Sequence, residues 1–66
     1  MISKDIKISA ARSEVYKWCE ETFGNGGESY NLIPGYRWTM YAYISGGLRV
    51  NFTNEEDYTW FMMRWG

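Results

Sequence analysis

The 66-residue chain has no histidine, a single cysteine and a single proline. Without histidine it lacks the commonest metal ligand and the side chain that titrates nearest neutral pH, so acid–base chemistry would fall to a buried carboxylate or lysine. The lone Cys19 cannot close an internal disulfide. No apolar run approaches the ~20 residues that span a bilayer, and residues 2–8 alternate Ile with Lys and Asp, unlike a secretory signal. A free thiol and no export signal predict a cytoplasmic protein with no membrane partner. Charge of one sign is also missing: seven basic against eight acidic side chains give a net charge of −1, without the basic footprint of a non-specific nucleic-acid binder.

Aromatic residues, by contrast, are plentiful: four Trp, six Tyr and three Phe. Each can cover roughly 150 to 250 Å², whereas a chain of this length buries only about 60% of the surface its unfolded form exposes. More aromatic surface is present than so small a core hides, and the surplus predicts a partner.

Residues 36–65 organise the chain as one small α+β domain, 1–66. Trp38, Met40, Ala42 and Ile44 alternate with Arg37, Thr39, Tyr41 and Tyr43; Leu48, Val50 and Phe52 alternate with Arg49, Asn51 and Thr53. Both runs have the period of half-buried strands. A three-residue connection, Ser45-Gly46-Gly47, pairs Ile44 with Leu48, Ala42 with Val50 and Met40 with Phe52, keeping the apolar faces together. The outer face then sets Tyr43 beside Arg49, Tyr41 beside Asn51 and Thr39 beside Thr53.

Residues 2–8 read as a first strand with Ile2, Ile6 and Ile8 inward. Ser9 as N-cap and Gly24 past the C-terminus bracket a helix of about fourteen residues. Its inward stripe is Ala11, Val15, Trp18, Cys19 and Thr22, widened by Tyr16 and Phe23. Residues 25–35 are a turn-rich loop in which Pro34-Gly35 suits a type II turn, and no phosphate-cradling pattern is present. Asn54 caps a last helix whose first turn, Glu55-Glu56-Asp57, suits the positive end of the helix dipole. Tyr58, Phe61, Met62 and Trp65 form its core stripe, while Trp60 and Met63 project on the opposite side with Glu56.

The element order is β-α-β-β-α. A right-handed crossover lays the first strand parallel to the second with the third between them, a three-stranded sheet in order 1-3-2 with both helices on one face. This is ferredoxin-like without its fourth strand, and the first strand is left as an unpaired edge through which two copies could meet.

Each candidate site has a plainer alternative. Cys19 on the inward stripe is a core thiol rather than a nucleophile, with no histidine to activate it. Glu55, Glu56 and Asp57 cap a helix rather than hold a cation, since adjacent carboxylates on a helix start diverge. Arg37, Tyr41, Tyr43, Arg49 and Asn51 on one open sheet face have the residue types that stack single-stranded bases; a solvated or dimer-covered face is the alternative. Trp60, Met63 and Arg64 are types enriched at protein interfaces, or are filler.

The ending Phe52-Thr53-Asn54-Glu55-Glu56-Asp57-Tyr58, then Phe61, then Arg64-Trp65-Gly66 resembles those of short uncharacterised proteins of tailed bacteriophages, in which a strand closing in Phe passes through an acidic cap into a helix closing in Arg-Trp-Gly. The resemblance covers about the last fifteen residues, leaves out Trp60 and Met63, and implies a phage accessory protein made in the host bacterial cytoplasm, with no activity named. Two functions follow as expectations. The first is a non-enzymatic protein-interaction module that binds and modulates a host protein and self-associates as a homodimer, with Trp60, Met63, Arg64, Tyr41, Tyr43, Arg37 and Arg49 as interface candidates. The second is a single-stranded nucleic-acid or nucleotide binder on the tyrosine face. Neither requires a cofactor or metal.

Overall fold

The computed structural model describes residues 2–7 and 11–65. Among the described residues six elements follow one another: β1 (Ile2–Ile6), α1 (Arg12–Phe23), β2 (Gly26–Glu28), β3 (Trp38–Ala42), β4 (Leu48–Phe52) and α2 (Glu55–Trp65). The strands form one mixed sheet in the order β1-β4-β3-β2. β4 lies antiparallel to both β1 and β3, while β2 runs parallel to β3. The α+β class is the expected one, but the three-stranded sheet is corrected to four strands. Among the described residues no helix is long and apolar enough to cross a membrane.

The added strand comes from the stretch predicted as loop. Two glycines and a glutamate have little strand preference, so tertiary contacts must hold them. Gly26 lies against the Trp38 indole, where a Cβ would come within 2.2 Å of the ring. Trp38 Nε1 donates to the Gly24 carbonyl at 3.2 Å. The backbone is tied on either side, Arg37 N–H donating to Asn25 O at 2.8 Å and Ser29 N–H to Met40 O at 3.0 Å. An Arg12–Glu28 ion pair fastens the strand's end to the start of α1.

The hairpin register differs from the expected one by two residues. Tyr43 N–H donates to Gly47 O and Gly46 N–H to Tyr43 O, both at 3.1 Å, so the three-residue loop is Ile44-Ser45-Gly46, one position early. Gly46 and Gly47 take φ of 103° and 89°, the conformations a turn followed by a bulge demands. Trp38 consequently faces Phe52, Met40 faces Val50 and Ala42 faces Leu48. In the expected register Trp38 would have stood opposite Asn54, beyond the end of β4. A shift of two preserves which face each strand side chain takes, and Ile44 alone leaves the inward face: it stands at the loop tip, 106% exposed. On the other face Tyr41 pairs with Arg49 and Thr39 with Asn51, replacing the expected pairs.

Both helices cover the face bearing Trp38, Met40, Val50 and Phe52. Phe23 of α1 and Phe61 of α2 meet Phe52 at 5.3 and 5.6 Å between ring centres, and Tyr16 lies edge-on to Trp38 at 5.2 Å. Val15 and Cys19 complete the buried cluster. In α1 the inward residues are Val15, Cys19 and Phe23, with Tyr16 and Trp18 partly covered, whereas Ala11 and Thr22 are exposed. The helix begins at Arg12 with Ala11 at its N-cap and no side-chain cap; Ile8 and the expected cap Ser9 lie outside the described residues. At its end Gly24 takes φ 83° and donates to Glu20 O. The type II turn is present, Tyr36 N–H donating to Ile33 O at 2.9 Å with Gly35 at φ 90°. Asn54 Oδ1 accepts from Asp57 N–H at 2.9 Å, capping α2.

Candidate protein-docking face

The 3.6-residue period of α2 divides its side chains in two. Phe61 is buried, and Tyr58, Met62 and Trp65 lie partly covered against the core. On the opposite side Trp60 is 53% and Met63 75% exposed. The core is closed without them. Trp18 of α1 spans the two helices, edge-on to Phe23, Phe61 and Trp65 at 5.5, 6.2 and 6.1 Å. Its remaining surface, with Thr22, Trp60, Met63 and Arg64, lines an open groove of about 470 Å³ between the helices. A second depression is bounded by Thr22, Phe23, Arg37, Glu56, Asp57 and the same Trp60. Trp60 therefore lines both hollows. Arg64 stacks its guanidinium over Trp65 at 4.0 Å, which fixes the cation at one end of the groove.

Arg37 is not on the tyrosine face, contrary to expectation. It precedes β3, so the pleat does not dictate its direction, and it turns to the helix side. There Nε and Nη2 donate to the two oxygens of Asp57 at 2.6 and 2.9 Å, and Nη1 donates to Phe23 O at 3.4 Å. The bond to Asp57 holds the guanidinium pKa above its ordinary value. Asp57 itself is buried, so the three acids of the first turn diverge: Asp57 points inward, Glu55 and Glu56 outward.

The other sheet face carries Tyr41, Tyr43, Arg49 and Asn51 as expected, but residues 29–31 cross it as a strap. Asn51, fully buried, accepts from Ser3 Oγ at 2.6 Å and donates from Nδ2 to Tyr30 O and Thr39 Oγ1, each at 3.0 Å. Thr39 Oγ1 donates to Asn31 O at 3.1 Å. Arg49 donates from Nε to Tyr30 O at 3.0 Å and lies 4.5 Å from the Tyr30 ring centre. Tyr30, Tyr41 and Tyr43 meet edge to face at 5.4 to 6.3 Å. Tyr43 donates its hydroxyl to Asp5 at 2.8 Å, and this bond above all pushes its pKa up to about 12. Tyr41 remains 40% exposed, yet the polar groups around it are engaged within the chain.

Cys19 is sealed in the core, and burial pushes its thiol from 9.0 up to about 12, far from the thiolate that nucleophilic chemistry uses. Periodicity missed Asp57 as the partner of Arg37 and Tyr30 as a member of the tyrosine cluster. The signals were present but non-periodic: a strand-leading Arg with a helix-start carboxylate, and an aromatic beside Asn in a glycine-led loop. The chain matches no protein-family model, no curated protein and no solved structure.

Proposed function

We propose that this chain is a non-enzymatic protein-interaction module whose working surface is the outward side of α2 with Trp18 and Thr22 of α1. The observation that carries this reading is the exposure of Trp60 and Met63 beside an apolar groove, in a domain whose core already holds Trp38, Phe52 and Phe61 fully buried. Trp, Met and Arg are enriched at protein interfaces, and Trp and Arg at their energetic centres. The sealed Cys19 thiol supports the non-enzymatic part of the reading. The engagement of Arg37 by Asp57 and of Arg49 by Tyr30 and Asp5 favours this surface over base stacking on the tyrosine face. The partner we propose is a bacterial host protein, supported by the resemblance of residues 52–66 to short phage proteins.

Three baits test the surface: the wild-type chain, Trp60→Glu and Tyr41→Glu, each checked for folding by circular dichroism and exposed to a bacterial lysate. Proteins retained by wild type and Tyr41→Glu but released by Trp60→Glu are the expected result. Retention that depends on Tyr41 and ignores Trp60 would refute the assignment.

A further inference from the structure

Resting on that reading, we infer that the outward face of α2 docks on a second copy of itself, antiparallel and about a two-fold axis at Trp60. Glu56, Trp60 and Arg64 occupy positions i, i+4 and i+8 of α2 and form one oblique ridge spanning about 12 Å along the axis at 1.5 Å per residue. Trp60 is its midpoint. An acid lies four residues before the indole and a cation four residues after, so rotating the ridge by half a turn superimposes acid on cation. Ridges of this spacing align when two helices cross at about −50°. In the antiparallel sense Glu56 of each copy then lies beside Arg64 of the other, with the two indoles side by side. Both charges are exposed, and among the described residues neither belongs to an ion pair. Met63, Trp18 and Thr22 give the incoming Trp60 an apolar seat.

The chain's other unpaired surfaces fit a second copy less well. Two β1 strands meeting antiparallel with Ile2 opposite Ile6 would put Lys4 opposite Lys4, a like-charge pair that destabilises a ladder and guards an edge. β2 has only three residues. Charge and shape both favour α2.

The test is solution mass by light scattering across concentrations up to about 100 µM, where micromolar association is saturated. Wild type should approach twice the monomer mass. Glu56→Arg alone and Arg64→Glu alone each replace two symmetric attractions by two repulsions and should weaken association about tenfold; Trp60→Glu should abolish it. The double exchange Glu56→Arg with Arg64→Glu should restore it. This last arm separates docking from folding, because the double exchange is the least favourable for the helix dipole of a monomer. A monomeric wild type, or a double exchange no better than the singles, would overturn the inference. A monomer that still releases its captured proteins on Trp60→Glu overturns the second copy alone, whereas indifference to Trp60→Glu in both assays overturns the docking surface with it.

Discussion

Removing Arg37 should expose how much the chain depends on a contact invisible to its periodicity. Arg37 gives Asp57 two charge-assisted hydrogen bonds at 2.6 and 2.9 Å. Without them the buried carboxylate keeps only its helix terminus and a long contact from Asn54 Nδ2 at 3.4 Å. A hydrogen bond to a charged group contributes about 1.5 to 3 kcal/mol, and cutting a wholly buried pair costs about 3 to 5. The Arg37 side chain is half exposed, so water replaces part of what is lost and the low end applies. Arg37→Ala should therefore destabilise by about 2 kcal/mol, which lowers Tm by roughly 8 to 16 °C in a domain of this size. Arg12→Ala is the control: its pair with Glu28 is about half exposed on both sides and should cost below about 1 kcal/mol. Thermal melts by circular dichroism compare the two. Equal shifts, or a shift under about 4 °C for Arg37→Ala, would refute the placement of Asp57 as a buried anchor.

Three further outcomes follow from named contacts. Gly26→Ala should destabilise by about 1 to 3 kcal/mol, because the new methyl would meet the Trp38 ring at 2.2 Å; an unchanged denaturant midpoint would contradict the β2 packing. Asn51→Ala should release residues 29–31, which amide hydrogen exchange would register as faster exchange at Ser29, whose N–H bonds Met40 O; unchanged exchange there would refute the strap. Cys19, with a thiol raised from 9.0 to about 12 in the fold, contributes stability that is complete below the unfolded-state pKa and lost as pH rises through that window. Unfolding should become easier by up to about 1.4 kcal/mol per pH unit above 9, and Cys19→Ala, less stable below pH 9, should lose that part of the slope; identical slopes would mean the thiol is not buried.

What the residues declared in advance was whatever repeats. Alternation marked Trp38, Met40, Val50 and Phe52 as one face, and helical spacing separated Phe61 from Trp60 and Met63. Local chemistry declared itself too, through the Asn54 cap, the Gly24 helix end and the Pro34-Gly35 turn. The register was hidden because shifting by two leaves the side chains of both strands on their faces, and the difference lies in the turn, where Gly46 and Gly47 take positive φ and Ile44 moves to the tip. β2 was hidden because its pairing rests on an indole lying against Gly26, a contact between residues twelve positions apart. Arg37 was misplaced because the pleat governs directions only inside a strand, and the buried Asp57 was a stronger claim on its guanidinium than the open sheet face.

The most direct test of the docking face is methionine oxidation by dilute peroxide, read by mass spectrometry as protein concentration rises. Met40, fully buried, serves as the protected standard within the same molecule, and Met63, 75% exposed in the single chain, is the reporter. At low concentration Met63 should oxidise rapidly while Met40 does not, and at high concentration the Met63 rate should fall toward that of Met40. A Met63 rate that stays high at every concentration, in a chain whose Met40 remains protected, would contradict the docking of α2 on a second copy.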